Sequence, residues 1–574
     1  MTFDLVIRSG TVIDGTGAPE RTADVALRDG IVVAVGDVSG RGTREIDADG
    51  ALVAPGFVDV HTHYDGQATW DNRLQPSSDH GVTTVVAGNC GVGFAPVRPA
   101  DRQLLVELME GVEDLPGTVL HEGLPWNWES IADYLDALDA RHYDIDLATQ
   151  VCHAPVRVYV MGQRGADREQ ATPDEIEQMG RIAAAGIRAG ALGFTTSRTL
   201  NHKTSRGEPT PTLTASRDEL VGIARAIGET GQGVLQVVSD FTDRDLEDET
   251  LLEMMRASGR PLSISLLQAA PGPGYRNKLE LLDRANAEGL SMRGQVAARA
   301  VGALLGLQGS LNPLRGTATF QAVADLALAD QARILSQPEH REQLVTEVSQ
   351  SRAGWSLDRI YELGDPPEYE PRPHDSLAAR AERAGVRPHE LLVDLLLSNG
   401  GRTLLYLPVL NYFDGNLDAA AEMMAHPHTV PGLSDGGAHV GTICDGSFPT
   451  SLLTHWGRDR TRGPLFELPF LIQRQSRATA EAVGLLDRGL LVPGYKADVN
   501  IIDFEHLRLG PPRIVHDLPA GGKRLVQQAS GYLHTFVSGV ETYANGVPTG
   551  DLPGRLVRGP QPTPARHNSN GGPR

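Results

Sequence analysis

Ala54-Pro-Gly-Phe-Val-Asp-Val-His-Thr-His-Tyr-Asp65 is the stretch on which the reading of this chain turns. Phe57 to Val60 reads as a short buried strand that runs into two histidines two residues apart. Side chains alternate faces along a strand, so His61 and His63 point one way and Thr62 the other. Two imidazoles on one face of a strand end can bite a single divalent cation. An H-x-H pair arises easily by chance in a chain with 18 histidines. The Pro-Gly-Phe-Val-Asp lead-in, directly after an all-β opening segment, is what singles this one out.

Working outward, residues 3–54 read as short strands punctuated by Asp14-Gly15, Asp29-Gly30 and Asp49-Gly50, a hairpin-rich pattern. The same idiom returns in Gly494–Asp503 and in His534–Gly546, which ends on an Asn-Gly turn. The two β-rich ends, 1–55 and 488–553, are expected to form one small composite β-sandwich. Between them strands and helical stretches alternate, the pattern of parallel βα units. Candidate strands are Phe57–Val60, Thr83–Gly88, Leu147–Val151, Ala191–Thr195, Val234–Val238, Leu262–Leu266, Leu290–Val296 and Val430–Ser434. Eight is the number that closes a (β/α)8 TIM-like barrel, here spanning 56–487. The gap 297–428 is too long for one connection and is expected to be an inserted subdomain over the barrel mouth. The Gly/Pro/Arg-rich tail, 554–574, is expected to be disordered.

The 574 residues carry a formal net charge of −21 and no basic run, which argues against a nucleic-acid partner. No apolar run reaches the roughly 18–20 residues of a membrane span. Asp4 and Arg8 interrupt the apolar stretch near the start, so no secretory leader is expected. Cys90, Cys152 and Cys444 are odd in number and far apart, unlike a disulfide scaffold. These features fit a cytoplasmic protein acting on a small molecule.

In a parallel barrel the reactive groups collect at the C-terminal strand ends. Read in order, these give His61 and His63, Cys90, His153, Arg198 with His202, Asp240, Gln268, then Asp435 in Gly-Leu-Ser-Asp-Gly-Gly-Ala-His439. A cation on the histidines, with Cys90 and Asp435 as further candidate ligands, would lower the pKa of a bound water. Asp435 could also take that water's proton and pass it to a leaving nitrogen. Arg198, His202, His153 and His439 are candidate substrate-binding groups; Arg198 in particular suits an anionic fork.

With these residues in hand, the chain resembles the amidohydrolase superfamily. It is most similar to its N-acyl-D-amino-acid deacylase (D-aminoacylase) branch. The likeness is carried by the H-x-H stretch, Gly81-Val-Thr-Thr-Val-Val-Ala-Gly-Asn-Cys-Gly91 and Cys152-His-Ala-Pro-Val-Arg-Val-Tyr-Val-Met-Gly162. Gly190-Ala-Leu-Gly-Phe-Thr-Thr196, Ser434-Asp-Gly-Gly437 and Arg488-Gly-Leu-Leu-Val-Pro-Gly-Tyr-Lys-Ala-Asp498 add to it. The resemblance implies that His61 and His63 are metal ligands, Cys90 the metal-bridging cysteine and Asp435 the catalytic aspartate. It also implies a histidine at the end of each of the fifth and sixth strands. Here those positions read Val238 and Leu266, and a lysine that often follows the second reads Gln268. The expectation is therefore one Zn2+ and hydrolysis of a linear, non-peptide amide, with an N-acyl-D-amino acid as the candidate substrate. A non-catalytic descendant of the fold, and a hydrolase of a cyclic amide or related C–N bond, stay open at this point.

Overall fold

A computed structural model describes residues 2–351 and 354–565. Eight parallel strand positions form the barrel: Phe57–Asp59, Val82–Ala87, Asp146–Thr149 continued by Val151–Cys152, Gly193–Arg198, Val234–Ser239, Leu262–Leu266, Met292–Val296 and Thr429–Pro431. The third position is split at Gln150: its first half pairs with the second strand and its second half with the fourth. Closure comes from a parallel bridge between Thr62 and Gly436, just past the ends of the first and eighth strands.

The helices around the barrel bury apolar faces and are capped as their sequences imply. In Pro173–Ala189, Thr172 and Glu175 form a capping box, proline occupies the first turn, and Gly190 ends the helix at φ +116°. Met179, Ala183 and Ile187 form its buried stripe.

Nine strands from both chain ends share one sheet, the composite β-sandwich anticipated from the sequence. Its central join is Leu52–Pro55 against Val499–Ile502, antiparallel. Leu5, Ile7, Val25, Val53, Val499, Ile501 and Phe536 pack in its core. A hairpin absent from the sequence reading, Arg513–Leu518 with Gly522–Val526, leaves this domain for the barrel mouth, where Leu525 N donates to Val440 O.

Two expected boundaries change. The inserted segment has its own antiparallel sheet of Val301–Leu305, Leu405–Leu410 and Tyr361–Glu362 and its own core, including Leu305, Leu344, Leu392 and Leu396. It ends near Leu410 rather than at 428, because the helix Asp418–Ala425 packs on the seventh and eighth barrel strands. The tail is not disordered from its start. Gly554 bridges Tyr143, Leu556 bridges Leu147 and Gln561 bridges Leu485. Those backbone pairs offset the low hydrophobicity of the segment; residues 566–574 lie outside the described part. Among the described residues no helix is long and apolar enough to cross a membrane.

Candidate metal centre

Barrel closure itself assembles the site. Asp435 N donates to His61 O (3.1 Å) and His63 N donates to Gly436 O (2.8 Å), so the eighth-strand turn lies along the H-x-H backbone. Asp435 takes φ +49° in this turn and aims its carboxylate between the two rings. Its Oδ1 lies 3.4 Å from His61 Nε2 and 3.5 Å from His63 Nε2. Cys90 comes from the turn after the second strand, at φ +56°. Asn89 anchors that turn by donating to Thr62 O (3.1 Å) and Val86 O (2.8 Å). Gly91 is required there, since a Cβ would sit 2.9 Å from the Thr196 backbone. Cys90 Sγ is thereby held 3.4 Å from His61 Nε2.

These separations are what a cation requires. With Zn–N of about 2.0 Å and Zn–S of about 2.3 Å, neighbouring ligand atoms on a tetrahedron lie ~3.3–3.6 Å apart. His61, His63 and Cys90 each offer a donor atom within 4.8 Å of the others. Neither ring nitrogen of His63 makes a hydrogen bond, although both are buried. An orphaned imidazole of this kind fits a metal site.

Each ring is backed on its far side. His61 Nδ1 is 2.6 Å from Gln295 Oε1, and Gln295 is itself oriented by Ser263 Oγ at 3.0 Å. His63 Nδ1 is 3.3 Å from Glu113 Oε1. Both rings therefore present Nε2 to the same point. Burial lowers the pKa of His61, against the opposing pull of Asp435, and lowers that of His63 to about 4. Both are held in the neutral form that ligates. Burial would raise the Asp435 carboxyl, but its close contacts with the His63 and His61 rings outweigh this, and it stays well below the usual range. Burial, with Glu113 and Asp435 nearby, pushes the Cys90 thiol up. Beneath the site Asp59 accepts from Ser434 Oγ (2.5 Å), tying the first strand to the eighth, and burial pushes its carboxyl up to about 7.

The other expected residues divide. His202, with Nδ1 2.8 Å from Ser197 Oγ, faces the centre. Burial and the nearby His439 and His63 lower its pKa to about 3. His439 stands at the mouth, 30% exposed, with Nε2 3.5 Å from Glu113 Oε2. Arg198 and His153 are not at the site. Arg198 belongs to the fourth strand itself, where alternation turns it outward onto Glu247 (2.9 Å) and Ala215 O. His153 is fully buried between Thr196 Oγ1 (2.8 Å) and Glu219 Oε1 (3.0 Å), beside Arg157, a network that spends both ring nitrogens.

The register of the ligand-poor strands also needs correction. Val238 pairs across from Ser197 and so faces the lumen. Leu266 does not: a Cβ on Gly294 would meet Leu266 and the helix residue Leu282, so this row faces the helices. On the sixth strand the lumen positions are Ser263 and Ser265, the latter paired with Gln295. Neither strand offers a metal ligand to the lumen.

Glu113 and Gln295 were missed from sequence. Glu113 ends the helix Arg102–Glu113, where the helix dipole disfavours a carboxylate, and that misplaced charge was the available signal. Gln295 carried none.

The sequence matches the Amidohydrolase family over residues 44–355 and 378–548. It is 28% identical to an uncharacterised protein of Mycobacterium tuberculosis, over 88% of this chain and 85% of that one. It is 26% identical to a D-aminoacylase of Alcaligenes xylosoxydans xylosoxydans, over 97% of each. A solved D-aminoacylase structure, concerned with a binuclear metal centre showing one-metal activation and second-metal attenuation, superposes with a TM-score of 0.65. It is 25% identical and covers 97% of this chain and 100% of that one.

Proposed function

The chain belongs to the amidohydrolase family, and from that premise we propose that it hydrolyses the linear amide bond of an N-acyl amino acid, N-acyl-D-amino acids first among them. One divalent cation, zinc by its donor set, would be held by His61, His63 and Asp435 with Cys90 beside them. The observation that carries this reading is that His61 Nε2 lies 3.4 Å from both Asp435 Oδ1 and Cys90 Sγ, while His63 Nε2 lies 3.5 Å from the same Asp435 oxygen. A cation bound there supplies Lewis-acid polarisation of the amide carbonyl and lowers the pKa of water.

The protein's own groups do the rest. Asp435, ionised and 18% exposed at its side chain, takes a proton from the attacking water and returns it to the leaving nitrogen as the tetrahedral adduct collapses. His61 and His63 stay neutral and fixed, since their Nδ1 atoms face Gln295 and Glu113. His202 and His439 line the approach and are placed to meet the substrate's polar end. The clustering of His61, His63 and Cys90, with Asp435 against both imidazoles, argues against a purely structural descendant of the fold. Cys90, Cys152 and Cys444 are all free, which suits action in the reducing cytoplasm.

Metal analysis of the purified chain, paired with a screen of N-acyl D- and L-amino acids, tests the proposal. Asp435→Asn should lower turnover by about 10²–10⁴-fold with the fold intact; undiminished turnover would overturn the mechanism.

A further inference from the structure

Glu113 is a buried carboxyl group that, among the described residues, has no Lys or Arg ion pair. Its side chain is 1% exposed, and its closest polar neighbours are two imidazoles: Oε1 at 3.3 Å from His63 Nδ1 and Oε2 at 3.5 Å from His439 Nε2. Oε1 makes no hydrogen bond. Burying an unpaired carboxylate at the C-terminal end of a helix is doubly unfavourable, so packing alone does not account for it.

We infer that Glu113 is a positioning residue for the metal centre: its carboxylate fixes the His63 ring with Nε2 toward the cation and anchors His439 over the mouth. This rests on the metal-dependent reading above. The geometry repeats what Gln295 does for His61. A carboxylate behind a ligating imidazole sets its tautomer and raises its basicity. The support arrives from the last residue of the helix Arg102–Glu113, in a chain whose fifth and sixth strands give the lumen Gln236, Val238, Ser263 and Ser265 instead of ligands. The loop bearing His439 has backbone tethers that do not need the Glu113 side chain. His439 N donates to Glu113 O, and Gly441 N donates to Asp114 Oδ2 (3.2 Å). A side-chain substitution therefore leaves that loop attached.

Cobalt(II) titration of the full chain, followed by its visible absorption, tests the inference on wild type, Glu113→Gln and Glu113→Ala. Cobalt affinity should fall in that order, by about 10–100-fold for Glu113→Ala, with a changed absorption band. A merely structural glutamate would move the melting temperature and leave the band alone. Wild-type affinity and band in both variants would overturn the inference while the metal reading stood. A wild type that binds no cobalt would overturn both. Should Glu113→Ala fail to fold, the isosteric Glu113→Gln carries the comparison by itself, with a weakened affinity and shifted band expected.

Discussion

His61 Nδ1 and Gln295 Oε1 stand 2.6 Å apart across the barrel lumen, joining the first strand to the seventh. The amide oxygen can only accept, so His61 carries its proton on Nδ1 and offers Nε2 as a lone pair. Gln295→Leu removes the acceptor and should weaken metal binding by about 10–100-fold. Gln295→Glu keeps an acceptor and should retain most of it. Titration with zinc against a competing chelator separates the two.

The strand register makes a second prediction. Val238→His combined with Ser265→His places imidazoles on the lumen face and should raise bound metal per chain. Leu266→His puts its ring among Leu282 and the helix layer, adds no metal and should cost about 1–3 kcal/mol for an unsatisfied buried polar group. Metal stoichiometry and urea unfolding of both variants check it.

Arg198 and His202 are four residues apart and should behave oppositely. Arg198→Ala strands the buried Glu247 and should destabilise the fold, on the order of 3 kcal/mol, with KM unchanged. His202→Ala should raise KM by about 3- to 10-fold, the worth of one neutral hydrogen bond, with little change in melting temperature. Steady-state kinetics beside thermal unfolding distinguishes them.

Acid stability should depend on Glu370, far from the chemistry. Burial raises its pKa, but hydrogen bonds from His455 and Arg460 outweigh this and bring it down to about 2 from an ordinary 4.5. A depressed carboxylate stabilises the fold fully above its unfolded value and ceases to do so as pH falls through the folded one. Its contribution should therefore be complete above about pH 4.5 and disappear toward pH 2. The stability gap between wild type and Glu370→Gln should shrink by on the order of 3 kcal/mol across that window. Urea unfolding at several pH values between these limits measures it.

The barrel was legible because its strands are continuous apolar runs bounded by turn residues; the strand Leu262–Leu266 occurs where periodicity puts it. The H-x-H pair and Asp435 were legible because strand alternation and turn chemistry are local. What escaped depends on parity or on partners distant in sequence. Arg198 sits one position inside its strand rather than past its end, and that single step turns its side chain away from the mouth. Leu266 was assigned to the lumen face for the same reason. Glu113 and His63 are separated by a whole helix, and nothing near either residue announces the other. The bridges of Gly554 and Leu556 were hidden because backbone pairing does not register in hydrophobicity.

The antiparallel join of Leu52–Pro55 to Val499–Ile502 pairs segments made far apart during synthesis. Leu52–Pro55 leads through Gly56, whose N–H donates to Asp498 O (2.9 Å), straight into the strand that carries His61 and His63. A ribosome releases the first 55 residues long before the other side of that join exists. The nascent chain must therefore hold an incomplete sheet edge through the making of the entire barrel. The strand that leads into the H-x-H pair thus gains this sheet neighbour only once the chain's last quarter has been made.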